Sequence, residues 1–133
     1  MTDRPLRTIR FIRAEIEALA EGRCRAVVQI ERPETGLHSG VADGGSAPGD
    51  TLHAVARAAG DAVCEALGPG VTVRVRGLQA VEAFGQTVVI VSVAAASKGR
   101  NMTLLGVCDS GEDTSRAAAL AVLNATNRFL GAG

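Results

Sequence analysis

Two similar segments of this 133-residue chain decide how it folds: GVADGG at residues 40–45 and GVCDSG at residues 106–111. Each places small residues and an aspartate after a valine, a composition that suits the end of a strand and the turn after it. Further matches lie 63 residues apart, pairing Asp50-Thr51 with Asp113-Thr114 and Leu67-Gly68 with Leu130-Gly131. The chain therefore contains an internal repeat, with one copy at residues 6–68 and the other at residues 71–131.

The second copy has clear hydrophobic periodicity. Residues 71–81 (VTVRVRGLQAV) alternate apolar and polar side chains, which predicts a strand. Residues 87–96 (TVVIVSVAAA) are apolar enough to predict a strand that is buried on both faces. A hairpin turn over 97–101 leads into a third strand, and residues 113–130 read as a helix capped by Gly131.

The first copy follows the same plan less clearly. Residues 25–31 (RAVVQIE) predict a strand that returns through a hairpin, and the glycine-rich stretch 43–50 predicts a loop. Apolar residues then recur at intervals of three and four over 51–67, which predicts an amphipathic helix. Residues 6–19 fit a strand and a helix equally well on their own pattern. Because their counterpart 71–84 is plainly a strand, we expect a strand there as well.

These predictions give an α+β fold of two βββα units, whose antiparallel sheets pack on a helix layer within a single domain, residues 1–133. One such unit alone has little core, so the two copies are expected to share one. The helices also carry second faces rich in alanine. Those residues are Ala54, Ala58, Ala62, Ala118, Ala121 and Ala125. Such faces predict a homodimer that stacks helices, unless these alanines merely favour helix on a solvated surface.

Composition excludes several classes of function. The chain has 14 basic and 14 acidic side chains and only three aromatic residues, so a nucleic-acid or anionic-membrane partner is not expected. No apolar run approaches the length of a membrane span, and no signal peptide is recognised. Cys24, Cys64 and Cys108 are odd in number and widely spaced, so neither a disulfide framework nor a metal site is indicated. We expect a cytoplasmic protein with reduced thiols and no cofactor.

No set of residues stands out as catalytic. His38 and His53 could pair with Asp43 or Asp50 for acid–base chemistry, but no nucleophile accompanies them, and solvent-facing positions are the simpler expectation. Cys108 precedes a helix, where a thiol can become reactive. Its counterpart in the first copy is an alanine, which favours a buried structural thiol. The protein is therefore expected not to be an enzyme.

Two further alternatives depend on helix starts. The glycine-rich loop before residue 51 lacks both the GxGxxG pattern and a GK[ST] ending, so phosphate binding is not indicated. Residues 50–130 also follow the helix–three strands–helix order of a double-stranded-RNA-binding domain. Glu112 and Asp113 stand where that family has a lysine cluster, and they would repel phosphate.

Asn124 and Asn127 could face solvent or form a buried hydrogen bond between helices.

The strand ends GVADGG and GVCDSG, the alanine-rich helix starts and a closing segment from Ala121 to Arg128 together carry a family resemblance. Over nearly the whole chain the sequence resembles the C-terminal regulatory domain of 2-isopropylmalate synthase and citramalate synthase. The resemblance implies a dimerising module that binds a feedback inhibitor, leucine or isoleucine, near the glycine-rich loops. The matching positions are Gly40, Ala42, Asp43 and Gly44 in the first copy and Gly106, Val107 and Asp109 in the second.

The sequence departs from that family in two respects. The family's catalytic barrel is not present in these residues, so no synthase activity is expected of them. Asp50 lies near a helix start where the family has small apolar residues, and its charge would repel an effector carboxylate. The expected function is a non-enzymatic regulatory or small-molecule-binding module. The alternative is a homo-oligomeric scaffold without a small-molecule ligand.

Overall fold

The computed structural model describes residues 9–111 and 113–132, and these form two three-stranded antiparallel sheets and two helices. In chain order the elements are β1 (Arg10–Ala18), β2 (Arg23–Arg32), β3 (Gly36–Gly45), α1 (Pro48–Leu67), β4 (Val71–Ala83), β5 (Gln86–Ser97), β6 (Arg100–Asp109) and α2 (Thr114–Ala132). The first sheet has the order β1-β2-β3 and the second has the order β4-β5-β6. The α+β class and the repeated βββα plan are therefore confirmed.

The ambiguous segment 6–19 is a strand over its described part, because β1 covers Arg10–Ala18 and pairs with β2. Residues 6–8 lie outside the described residues. The loop expected over 43–50 is shorter than expected, since β3 continues to Gly45 and α1 begins at Pro48. Proline is favoured in the first helical turn because its missing N–H has no helical partner there.

Gly131 does not cap the second helix, because α2 continues to Ala132. Glycine inside a helix costs only about 1 kcal/mol relative to alanine, so a single glycine does not end a helix that packs well. The prediction that the helix ends at Gly131 was therefore wrong, because the helix tolerates this glycine.

β5 is buried on one face only, which corrects the expectation that both of its faces are covered. Val89, Val91 and Val93 have no exposed surface, whereas Val88 and Ile90 between them are half-buried. Both helices lie on the inner side of the sheets. No element in residues 9–111 and 113–132 packs over the outer side of the second sheet. An apolar run thus predicts strand, but it does not show which side is covered.

Each helix lies almost in backbone contact with the third strand of its own unit. A methyl group built on Gly40 would overlap the backbone of Ala58 and Ala62, and one built on Gly106 would overlap the carbonyl of Ala121. Glycine is required here by the close approach of helix and strand, because the φ angles at both positions are ones that any residue can adopt. The two contacts are equivalent in the repeats.

The alanine-rich helix faces are buried inside the chain. All six of the alanines expected to remain free have no exposed surface: Ala54, Ala58, Ala62, Ala118, Ala121 and Ala125. They pack against the sheets and against the other helix, since α1 and α2 also contact each other. A homodimer that stacks these faces is therefore ruled out. The alternative of alanines on a solvated surface is also wrong.

The two units exchange contacts through their first strands. Asn127 of α2 accepts a hydrogen bond from the Ile9 N–H (2.9 Å) and donates one to the Ile9 carbonyl (3.2 Å). In the other direction, the Cys64 thiol of α1 accepts from the Val73 N–H (3.2 Å) and donates to the Val73 carbonyl (3.3 Å). Each helix thus holds the first strand of the other unit, and Asn127 makes an inter-unit hydrogen bond instead of facing solvent.

Gly106→Ala should destabilise the fold by about 3 kcal/mol or more, because the new methyl group meets helix backbone that cannot move away by a rotamer change. Urea unfolding followed by circular dichroism measures this change. Gly77→Ala is the matched control, since a methyl group there meets nothing within 4 Å. The control should change stability by less than about 0.5 kcal/mol. Equal effects of the two variants would contradict the close-approach account.

Asn127→Ala should lower the free energy of unfolding by about 1–3 kcal/mol, because the Ile9 N–H and carbonyl lose their partner. Asn101→Ala, at an exposed position of β6, serves as the control and should be nearly neutral. Hydrogen exchange at the Ile9 amide should accelerate in the Asn127 variant alone. An unchanged exchange rate would show that this contact does not hold the first strand.

Candidate functional site

The seven positions implied by the family resemblance lie along the third strand of each unit, but they do not form one surface. Gly40 and Gly106 are buried beneath the helices, where they contact backbone, so neither can touch a ligand. Ala42 is also buried, whereas Asp43 and Gly44 are half-buried. In the first copy, therefore, only Asp43 and Gly44 keep partial exposure to solvent.

Asp43 forms a two-bonded ion pair with Arg25 on the neighbouring strand. Arg25 Nε donates to Asp43 Oδ1 (2.8 Å), and a terminal nitrogen of the same guanidinium donates to Oδ2 (3.1 Å). The two residues are direct cross-strand partners, which places them on the same face of the sheet. The hydrogen bond from Arg25 lowers the pKa of Asp43, and the same pair raises the pKa of Arg25. Asp43 is thus held as a carboxylate.

This ion pair lines a cleft of about 520 Å³ between β3 and α1. The lining residues are Arg25, Val41, Ala42, Asp43, Arg57 and Asp61. Arg57 closes the helix side of the cleft and donates a hydrogen bond to the Asp43 backbone carbonyl (2.8 Å). The cleft therefore combines two guanidinium groups and two carboxylates with the apolar Val41 and Ala42.

Sequence reasoning missed Arg57 and Asp61. A sequence pattern could have identified them, because polar side chains recur at every fourth position of α1 between buried alanines. These side chains form an exposed stripe along the helix: His53, Arg57, Asp61 and Glu65. Arg57 and Asp61 also line a smaller cleft of about 250 Å³ on the other side of the stripe, toward β4. These two side chains are therefore accessible from both sides of the helix.

Asp50 does not line the cleft, although its charge was expected to oppose an effector carboxylate. Its carboxylate lies over Gly45, where a methyl group would come within 2.8 Å of Asp50 Oδ2. Gly45 follows the cleft-lining part of β3 along the strand. The expected repulsion is therefore directed at the strand end and the first helical turn, outside the lining of the cleft.

The second unit does not repeat the charged lining of this cleft. The positions that correspond to Arg57 and Asp61 are Leu120 and Asn124, and the Asn124 amide donates to the Val107 carbonyl (2.8 Å). Asp109 accepts a hydrogen bond from the Gly111 N–H (3.0 Å), which stabilises the turn before α2. Val107 faces outward from the second sheet and Asp109 supports a turn, so the second-copy positions do not join those of the first.

A groove of about 880 Å³ does lie along the edge of β6, beside α2. Its lining residues are Met102, Thr103, Leu104, Leu105, Asn124, Asn127 and Arg128. The polar groups here already bond to backbone: Arg128 donates to the Leu105 carbonyl, and both asparagines hold main-chain atoms. Covering strand-edge carbonyls in this way protects the edge from pairing with another strand. Asn124, Asn127 and Arg128 therefore have structural roles in this groove.

The histidines do not form the acid–base pairs that were considered. His38 is largely buried, which corrects the expectation that it faces solvent, and its ring lies 2.7 Å from Thr35 Oγ1 and 3.7 Å from a Glu65 oxygen. It belongs to the inner side of β3, and this explains its burial. His53 is exposed on the helix stripe, as expected. Neither ring contacts Asp43 or Asp50 among the described hydrogen bonds and ion pairs.

The cysteines are free thiols with structural positions. Cys24 is buried in the core, Cys64 bonds the Val73 backbone, and Cys108 is half-buried. Burial and the nearby Asp109 carboxylate raise the pKa of the Cys108 thiol, which disfavours the reactive thiolate. Within residues 9–111 and 113–132, no three His, Cys, Asp or Glu side chains come together as a metal site.

No protein-family model and no curated protein matches this sequence. Among the described helices, none is long and apolar enough to cross a membrane. The function must therefore be inferred from the cleft beside α1, where charged groups of both signs surround a small apolar surface.

The Asp43–Arg25 pair predicts a specific pH dependence. The pKa of Asp43 is lowered from its ordinary value of 3.8, so its contribution to stability is present above that pH and is lost as pH falls through the lower folded-state pKa. An NMR titration should place the Asp43 midpoint below 3.8, and Arg25→Gln should return it toward that value. An Asp43 midpoint that is unchanged by Arg25→Gln would contradict the pairing.

Proposed function

We propose that this chain is a non-enzymatic module that binds a free amino acid, or a closely related small zwitterion, in the cleft beside α1. The observation that carries the proposal is the lining of that cleft: two guanidinium groups and two carboxylates around Val41 and Ala42. Its volume of about 520 Å³ suits a small ligand. A zwitterion needs a cation and an anion held a few ångströms apart, and the cleft offers both.

Each charged group has a role that follows from its contacts. Arg57 uses one N–H on the Asp43 carbonyl, and a guanidinium has five N–H donors, so it can also receive a ligand carboxylate. Asp61 lies one helical turn away and is the acceptor for a ligand ammonium group. Asp43 is already neutralised by Arg25, so it serves mainly to position Arg25 and the strand.

The apolar part of the lining indicates the class of side chain. Val41 and Ala42 are small aliphatic residues, which suit an aliphatic ligand side chain better than a charged or aromatic one. The resemblance to the regulatory domain of 2-isopropylmalate synthase points to the same class, leucine or isoleucine. Ala42 and Asp43 are the two positions that the resemblance and this cleft share.

The same lining favours binding over catalysis. None of its residues is a serine, threonine, cysteine or histidine, so it offers no ordinary nucleophile. Its carboxylates are weak bases, and the pKa of Asp43 is lowered further by Arg25. The cleft can therefore hold and orient a ligand without a group suited to transform it.

The alternative is a homo-oligomeric scaffold with no small-molecule ligand. It is supported by the large apolar side chains exposed on the outer side of the second sheet, Leu105 and Val107. The two functions are separable because this surface shares no residue with the cleft. A scaffold would retain its assembly after Arg57 and Asp61 are replaced.

Isothermal titration with leucine, isoleucine and the other free amino acids tests the proposal. We expect binding of an aliphatic amino acid, and a rise of several degrees in the unfolding temperature at saturating ligand. Arg57→Gln and Asp61→Asn should each weaken binding about tenfold or more, because each removes a charged hydrogen bond to the ligand. His53→Ala, on the same exposed stripe but outside the cleft lining, should bind like the unaltered protein.

Absence of binding and of thermal stabilisation across all free amino acids would reject the proposal in favour of the scaffold. Binding that survives both Arg57→Gln and Asp61→Asn would place the ligand somewhere other than this cleft. Circular dichroism of each variant establishes that a loss of binding does not reflect unfolding.

A further inference from the structure

We propose that two copies of this chain pair through the outer face of the second sheet, with Phe84 of each copy seated in a groove of the other. This proposal does not depend on the proposed ligand. We define the outer face by the side chains of β4, β5 and β6 that point away from both helices, whose apolar members are Val81, Val88, Ile90, Leu105 and Val107.

The centre of the outer face is apolar and lacks the charged cover of its counterpart. Leu105 is 56% exposed and Val107 is 49% exposed, and Val107 lies directly across from Ile90. The corresponding face of the first sheet carries ion pairs between Arg25 and Asp43, Arg13 and Glu15, and Arg10 and Glu31. Among the described residues, no such pair covers the second sheet. A contiguous exposed apolar surface of this kind is typical of a protein–protein contact.

Phe84 stands at one end of this face, in the turn between β4 and β5. Its side chain is fully exposed (102%), and its φ of 54° is in the left-handed region that disfavours a bulky residue. The matching turn of the first unit places the polar Glu21 at a similar φ of 62°. An aromatic residue here is unfavourable twice over in a single copy, through exposure and through backbone strain. A partner that buries the ring removes the first of these costs.

A groove of about 610 Å³ lies at the opposite end of the same face. Arg74, Arg76, Ala94 and Ala96 are among its lining residues. The two alanines leave room above the sheet, and the two guanidinium groups can stack on an aromatic ring. The chain already contains one such contact, with the Arg116 guanidinium carbon 5.4 Å from the centre of the Phe11 ring. The groove therefore suits a phenyl ring beside cationic side chains.

The two ends of the outer face also carry charges of opposite sign. Asp109, which lies across from Val88, is at the end near Phe84, whereas Arg74 and Arg76 lie at the groove end. Two outer faces can stack about a twofold axis that lies between them, in the plane of the interface, and crosses the strands at right angles near Ile90. This arrangement places the Phe84 end of each face over the groove end of the partner's face. The ring then meets the groove, and the Asp109 carboxylate of each copy faces the guanidinium groups of the other, so that both contacts occur twice in one dimer. This self-complementarity is the requirement for a closed twofold interface, and it commits the surface to a second copy.

Sedimentation equilibrium tests this dimer. The unaltered chain should show twice its 13.6 kDa mass, and Val107→Glu should show the single mass because it buries an unpaired carboxylate in the interface. Val41→Glu is the matched control, since Val41 occupies the same place in the first sheet and is 51% exposed. The control should remain dimeric. Phe84→Asn should raise the dimer dissociation constant at least tenfold, while the folded chain tolerates asparagine at this φ angle.

Charge exchange tests the orientation. A chain with Arg74→Glu and Arg76→Glu should be monomeric, and so should a chain with Asp109→Arg, because like charges then meet at both ends of the interface. Their equimolar mixture should form a heterodimer, since opposite charges then meet at both ends. A monomeric unaltered chain, a dimeric Val107→Glu variant or a monomeric mixture would each overturn the proposal. Circular dichroism confirms that every variant is folded. Of these positions only the control, Val41, lines the cleft beside α1, and the variants that test the dimer lie outside it, so this result and the ligand test can fail separately.

Discussion

The approach of each helix to a glycine on its own sheet is the constraint on which the rest of the structure depends. Gly40 and Gly106 bring strand and helix together at backbone distance, and the helix residues that face them are alanines. Packing this close leaves little space for large side chains, which explains why the described core is mostly valine and alanine, with two isoleucines, one leucine, one cysteine and one phenylalanine. It also explains why the alanine-rich helix faces are buried within one chain and cannot form a contact between two copies.

The same geometry interlocks the two units. Each helix packs on its own sheet, against the other helix and against the first strand of the other unit. The residue that holds the foreign strand is Asn127 in one direction and Cys64 in the other, and both bond the N–H and the carbonyl of a single residue. Different side chains thus perform one structural task. A single unit would leave its first strand without this support, and so the duplication stabilises both halves.

The surfaces of the two units diverge although their cores match. The first unit carries ion pairs on its sheet and the charged pair Arg57 and Asp61 on its helix, where the second has Leu120 and Asn124. Both units expose valine and leucine on their sheets, but among the described residues only the first sheet also carries ion pairs. Polar recognition of a small molecule fits the first unit, and self-association fits the second. Core packing restricts both copies equally, whereas solvent-facing positions can change without cost to the fold.

The sequence by itself determined the repeat, the order of the elements and the strand nature of β1, because periodicity and internal similarity are local properties of the chain. Tertiary structure alone decided which faces are covered: the apolar pattern of β5 and the alanines of both helices read alike whether a neighbour is present or absent. It also decided the site. Seven positions implied by resemblance lie on two strands, yet only Ala42 and Asp43 line the cleft with Arg57 and Asp61, which come from a different part of the chain. Packing brings together side chains that are far apart in the sequence, and a local sequence pattern does not show which of them will lie close in space.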